Sequence, residues 1–306
     1  MKCLITGANG FVGTHLLKEL NGRYTEIYGL NLNPGAGADY IAVPSDIRDT
    51  KKVQEIISDI SPDYIYHLAG QPFVPQALEH PEETLDINVK GTLNILHALQ
   101  LKGKEARMIY VSSADIYGSC PESDIPIKES FLPRPSNPYS ASKLAGEVYC
   151  LQYSRLCDFL HIMIARPFNH IGVGQRDEFV VPNFFRQVIE ARSKNQNQIN
   201  VGDLSITRDF LDVRDVVRAY GAIAEKGISG EVYNICSGVE ISIQDLLEKI
   251  IDISGTKMKI IVESTRLRKS ETHRLCGSNE KIRSLGWAPK YSLKDSLKEI
   301  YNHMNP

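Results

Sequence analysis

Short apolar runs alternate with amphipathic stretches through the first two thirds of the chain. Lys2–Thr6, Glu26–Leu30, Tyr64–Leu68, Met108–Ser112 and His161–Arg166 have the composition of buried strands. Between them, Phe11–Leu20, Lys51–Ile60, Pro81–Gln100 and Pro138–Cys157 carry helical periodicity. Ser61-Pro62 stops the second helix, Pro81 fits a first helical turn, and Asn137 is placed to cap the fourth helix. Strands alternating with helices predict βαβ units, a parallel sheet and right-handed crossovers. Beyond Arg166 turns become denser, as at 171–174 and 201–203. Phe179–Arg192 and Ile243–Ile253 read as helices and Val232–Cys236 as a strand. The expectation is an α/β fold in two units. Residues 1–168 form the doubly wound parallel sheet, and 169–306 mainly a smaller α/β unit, with segments near 203–238 returning to the first.

The turn after the first strand reads Gly7-Ala-Asn-Gly10-Phe-Val-Gly13. Gly7 allows a tight turn, Gly10 a close backbone approach to a pyrophosphate, and Gly13 close packing of helix on strand. The helix N-terminus then offers unpaired N–H groups to phosphate. In this strand–turn–helix setting the spacing marks a Rossmann-type dinucleotide site, with Asn9, Phe11 and Val12 beside the glycines. The second strand ends without the usual acid. Asn31 there can bond a ribose hydroxyl without repelling a 2′-phosphate, and no arginine stands next to it. Asp46-Ile47 is placed to meet the adenine, although Asp46 fits equally a cap of the following turn. Arg48 either approaches the adenosine or lies on the surface. NAD and NADP both remain open as cofactor.

Tyr139 and Lys143 stand four residues apart, on one face of a helix. A free phenol titrates near about 10, and a neighbouring ammonium is expected to lower that value. Tyr139 is then able to give a proton to a carbonyl oxygen. Ser113, at the carboxyl end of a strand, is placed to bond the same oxygen, because sites of open α/β sheets lie at strand ends. Ser112 is read as satisfying backbone groups there. Tyr/Lys pairs at this spacing are common; the glycine turn and the serines give this one its meaning.

Composition narrows the field only a little. The chain has 306 residues and a net charge of −2, which gives no electrostatic reason to expect nucleic acid or an anionic membrane as partner. No apolar run is long enough to span a membrane, and the N-terminal run is too short for a signal peptide. The six cysteines form no CxxC or Cys/His metal pattern, so no metal is expected, and reduced thiols in a cytoplasmic protein are the plain expectation.

Taken together, Gly7–Gly13, His67-Leu-Ala-Gly70, Ser112-Ser113, Tyr139 with Lys143, and Arg166-Pro-Phe-Asn169 resemble the extended short-chain dehydrogenase/reductases over nearly the whole chain. These act mostly on nucleotide sugars. Runs beginning at Ala69, Ala165, Arg208 and Val232 look like the GDP-6-deoxy-D-mannose reductases within that family. The resemblance implies NAD(P)H-dependent reduction of a carbon-4 ketone on a GDP-linked 4-keto-6-deoxy sugar, to GDP-D-rhamnose. It implies Tyr139 as the acid, Lys143 as its partner and Ser113 as the orienting hydroxyl. It places Leu68, Ala69 and Gly70 near the cofactor. Asp115, Asn169, Val180, Arg208, Arg268 and Glu271 would meet the sugar nucleotide. It also implies a homodimer in which the helices at 81–100 and 138–157 pair across a two-fold axis; burial of those faces against the chain's own sheet is the alternative. Lys269 replaces the family's usual proline after Arg268, and Val173 replaces the proline of the commoner Gly-Pro-Gly.

Sister enzymes that dehydrate sugar nucleotides place two acids between the serine-type hydroxyl and the Tyr-Gly turn. Here the stretch is Ser113-Ala114-Asp115. One acid is absent and the other is shorter by one methylene, which matters when misplacement by about 1 Å is costly. Ketone reduction needs no such base. A dehydratase or epimerase remains the alternative because of Asp115, and a cofactor-binding regulator is a third reading.

Overall fold

Cys3, Leu4 and Ile5 are all fully buried, which requires apolar layers on both faces of the first strand. In the computed structural model, which describes residues 1–33, 40–263 and 272–305, those layers are helices. In chain order the elements are β1 (Lys2–Thr6), α1 (Phe11–Leu20), β2 (Glu26–Asn31), β3 (Ile41–Pro44), α2 (Thr50–Ile60), β4 (Tyr64–His67), α3 (Val74–Glu79) and α4 (Pro81–Leu85). Then come α5 (Gly91–Lys102), β5 (Ala106–Val111), α6 (Pro138–Leu156), β6 (Leu160–Pro167), β7 (Asn169–Ile171), α7 (Val180–Ser193), β8 (Gln198–Val201) and β9 (Thr207–Asp212). The remainder are α8 (Val213–Lys226), β10 (Val232–Ile235), β11 (Glu240–Ser242), α9 (Ile243–Ser254), β12 (Lys259–Val262), β13 (Arg274–Leu275), α10 (Glu280–Arg283) and α11 (Leu293–Met304).

Seven strands form a parallel sheet in the order β10-β6-β5-β4-β1-β2-β3. The Rossmann-type α/β fold expected from the strand–helix alternation is therefore present. Because side chains alternate across a strand, successive residues enter opposite layers. Cys3, Ile5, Ile109, Met163 and Ala165 pack with Leu16, Leu20, Val216, Tyr220 and Ile223 of α1 and α8. Leu4, Met108, Ile162 and Ile164 pack on the other side with Ile57, Ile95, Leu99 and Cys150 of α2, α5 and α6. The strand at 232 joins the edge of this sheet beside β6. A third cluster draws on α7, α9 and α11 with β8 and β9, and there β9 pairs with β7, β11 and β13. All six cysteines are free thiols.

Two elements depart from the patterning. The helix expected over 81–100 is wound as a π-helix at Asp86–Lys90, between α4 and α5. The wider turn brings Asn88 inward, where its amide bonds Gln71 and Ser142. Helix α8, left unassigned above, shares one face of the sheet with α1. Its stripe of Val213, Val216, Val217, Tyr220 and Ala224 is buried, while Arg214 and Arg218 are turned outward to Asp212 and Asp215.

Beneath α6, Arg166 and Glu147 form a buried two-pronged ion pair, with Nε–Oε1 2.9 Å and Nη2–Oε2 2.7 Å. Tyr117 Oη accepts from Arg166 and donates to Asn234. Removing one partner leaves a buried charge, so Glu147→Ala is expected to lower unfolding free energy by about 3–5 kcal/mol in urea titration. A loss below about 1 kcal/mol would mean that the pair is effectively solvated.

Candidate functional site

Gly7 turns with φ of +74°, a region in which a side chain is strained. A Cβ on Gly13 would stand 2.3 Å from the Gly7 carbonyl oxygen, so α1 approaches the turn as closely as the sequence spacing requires. Helix α1 starts at Gly10 with no side-chain cap and no acid in its first turn, which leaves its first amides and positive dipole end facing outward. Asn31 behaves differently from expectation. It is 3% exposed, and its Oδ1 accepts from the Asn9 amide at 3.0 Å. Its carboxamide oxygen braces the glycine turn rather than reaching out to a ribose. Asn9 in turn donates to the Asn33 carbonyl.

At the far end, Asp46 accepts from the Arg48 amide at 2.8 Å and pairs with its guanidinium at 2.6 Å. The turn-capping alternative for Asp46 is thus realised. The guanidinium holds the Asp46 carboxyl below its usual range, and Arg48 is tied in place beside it.

At the other end, Asn137 caps α6 in a reciprocal capping box with Ser140, which sets Tyr139 in the first turn. Burial pushes the Tyr139 phenol well above its ordinary value; the Asp115 carboxylate adds to this, and a hydrogen bond from Ser113 opposes it. Ser113 also accepts from the Asp115 amide at 3.1 Å. The expected lowering of Tyr139 by Lys143 is not found. The Lys143 ammonium donates to the Val111 carbonyl at 2.9 Å and lies over the Tyr110 ring, and burial pulls it down to about 8. Both shifts have the same leading cause: in a dry wall each group favours its neutral form. His67 is held neutral between Thr6 and Thr92, lowered to about 3 by burial and by the charge of Lys143. Ser112 also departs from expectation. Its hydroxyl is buried and bonds nothing, because the backbone at the strand end is already paired through Ser112 N and Ala165 O.

These groups line one cavity of about 730 Å³. Every residue expected to meet the dinucleotide stands on its wall: the turn from Gly7 to Gly13 except Ala8, then Asn31, Asp46, Ile47, Leu68, Ala69, Gly70, Tyr139 and Lys143. Ser113, Asp115 and Asn169 share that wall, whereas Val180 and Arg208 do not. Phe179, just before Val180, does reach it. Arg208 donates to the Thr207 and His273 carbonyls. Arg268 and Glu271 lie outside the described residues. Among the described residues no cluster of metal-ligating side chains occurs, and no helix is long and apolar enough to cross a membrane.

The family described as GDP-mannose 4,6 dehydratase matches residues 4–300. The chain is 39% identical over 303 residues to the GDP-6-deoxy-D-mannose reductase of Pseudomonas aeruginosa, covering 98% of this chain and 95% of that protein. Among solved structures, RMD from Pseudomonas aeruginosa complexed with NADPH superposes with a TM-score of 0.87 at 38% identity, over 99% of this chain and 98% of that one. The chain belongs to the extended short-chain dehydrogenase/reductases. The breadth of the family shows in the Thermus thermophilus UDP-glucose 4-epimerase complex with NAD, which has a TM-score of 0.89 at 26% identity and covers 99% of this chain and 98% of that one.

For this member of the family, several wall or supporting residues escaped the sequence reading. Tyr220 comes from α8, whose apolar stripe at i, i+3, i+4 and i+7 was the available signal. Gln175 donates to the His170 carbonyl, fixing its amide on the wall. Asn88 had no local signal, since its partners Gln71 and Ser142 lie far away in sequence. A nitrogen-detected NMR titration of Lys143 Nζ is expected to show a midpoint near pH 8 instead of the ordinary 10.5. A midpoint at the ordinary value would contradict the dry environment described for it.

Proposed function

We propose that the protein is an NAD(P)H-dependent oxidoreductase that reduces the 4-keto group of GDP-4-dehydro-6-deoxy-D-mannose to GDP-D-rhamnose. The observation that carries this is the convergence of Ser113, a fully protonated Tyr139 and Lys143 at one end of the cavity that the glycine turn opens. Full-length likeness to the Pseudomonas aeruginosa reductase supports the substrate class. The turn at Gly7–Gly13 and the open end of α1 fit the diphosphate of a nicotinamide dinucleotide, whose dihydronicotinamide ring would supply the hydride. A phenol that keeps its proton is the form that ketone reduction needs. Ser113 and Tyr139 donate to the carbonyl oxygen, and Tyr139 gives up its proton as negative charge grows there. The Lys143 ammonium, one helical turn further on, stabilises the phenolate left behind.

Asn169 sits on the sugar side of the wall in this reading, and Arg208 with Arg268 serves the diphosphate, for which paired guanidinium donors are suited. In this reading the chain divides near residue 168 and the sugar nucleotide lies between the two units. Exposed Val148, Tyr149 and Leu156 on α6, with Leu101 on α5, support a homodimer built on these helices. The six free thiols support a cytoplasmic setting.

Asp115 favours a second reading. It lies on the wall and acts electrostatically on Tyr139, as a base for dehydration or epimerisation would. Incubation separates the two. With the GDP-linked 4-keto-6-deoxy sugar and NADPH, dihydronicotinamide absorbance should fall as one new sugar nucleotide forms; a ketosugar formed from GDP-mannose without added reductant would defeat the reductase reading. Tyr139→Phe is expected to lower turnover by about 100- to 10,000-fold with cofactor affinity unchanged. The kcat/KM for reduction should be flat at lower pH and fall as Lys143 loses its charge above about 8. A profile that rises through that range would place the essential charge elsewhere. Sedimentation should give a dimer for the native chain and a monomer for Val148→Asp.

A further inference from the structure

Glu147 stands one turn of α6 beyond Lys143, so the two side chains lie on one face of the helix. Both are pressed against the sheet: Lys143 is 6% exposed and Glu147 1%. The Lys143 ammonium sits at the Val111 carbonyl that ends β5. Val111 pairs with Ala165, and the next residue of β6 is Arg166, which holds Glu147 in its fork. The ammonium and the ion pair therefore occupy neighbouring positions of two hydrogen-bonded strands, under one helix. Bracing α6 does not by itself call for ions, because well-packed apolar side chains serve as well as a buried ion pair. What apolar side chains cannot supply is a negative charge beside Lys143.

Few other groups there carry charge. Burial pulls Lys143 down to about 8, and Cys150 and Glu147 oppose this. Burial and the Glu147 carboxylate push the Cys150 thiol well above its usual range, so of those two only Glu147 is an ion near neutral pH. The Tyr110 ring of β5 and the His67 ring of β4 face the ammonium as neutral groups, and Tyr139 keeps its proton. Asp115 acts on Tyr139, and Tyr117 bonds Arg166. Glu79, Glu82, Glu83, Asp86, Lys90, His97 and Lys102, on the helical segments packed beside α6, are exposed and screened by water. The reductase reading makes the Lys143 charge part of the reaction, since the ammonium meets the phenolate left on Tyr139, and the inference rests on that reading. We infer that Glu147, held by Arg166, is a positioning residue that keeps the Lys143 ammonium charged while Tyr139 gives up its proton.

The test uses the full-length protein and two readouts: kcat/KM for ketone reduction against pH, and the nitrogen-detected titration of Lys143 Nζ. Glu147→Gln combined with Arg166→Met removes both charges and leaves no buried ion unpaired. In that variant the alkaline fall of kcat/KM and the Lys143 midpoint should both move to lower pH by about one unit, or about tenfold in the charged fraction above the midpoint. Glu147→Gln alone carries the same expectation and serves if the double variant does not fold. A pair that only braces the helix would lower the plateau and leave both midpoints in place, which would overturn the inference. Glu147→Asp keeps the charge and should keep both midpoints near their native pH. A shift there as large as in the neutral variants would also overturn it, since packing and not charge would be the cause. If the native protein reduces no ketone, the reductase reading fails, and the Lys143 titration still decides whether Glu147 holds the charge.

Discussion

Helix α6 reaches its station on the sheet only because residue 146 has no side chain. A Cβ there would stand 2.0 Å from the Tyr110 hydroxyl. That close approach lets Tyr110 bond the Lys143 carbonyl and lets the Lys143 ammonium reach the Val111 carbonyl at the end of β5. At the very next residue, the same docking is locked by Glu147 against Arg166 of β6. The first turn of α6, with Tyr139, is then held over the strand end that carries Ser113. A helix left standing off by a methyl group's width would misplace the phenol, and errors of about 1 Å matter for proton transfer.

The same burial sets the charges. Tyr139 keeps its proton, Lys143 is drawn down to about 8, and His67 stays neutral between two threonines. A pocket that disfavours ions in its empty wall is well matched to a reaction in which charge appears on one oxygen and is met there by donors already in place. At the opposite end the logic is different. Asp46 and Arg48 neutralise one another, so that end of the cavity carries a paired charge and not a lone carboxylate.

Most of the sheet was legible in the chain because its cues are local. Period-two alternation, helical stripes and Gly7–Gly13 at their spacing dictate strand, turn and helix without reference to distant residues. The Tyr139/Lys143 register follows from one helical turn. The helix at 213–226 carried a local cue too, since Val213, Val216, Val217 and Tyr220 keep helical spacing. The π-turn at Asp86–Lys90 had no local cue, since what it achieves is a bond between Asn88 and residues remote in sequence.

The sequence by itself thus determined the strand–helix order, the dinucleotide-type turn and the identity of the Ser113, Tyr139 and Lys143 set. The tertiary structure alone decided how each polar group is used. Asn31 turns in to brace Asn9, Asp46 pairs with Arg48, Lys143 bonds a strand carbonyl, and Ser112 and Tyr220 are left unmet on the cavity wall. The reason is physical. Backbone conformation responds to near neighbours, whereas a hydrogen-bond partner and the depth of burial are set by atoms that only folding brings together.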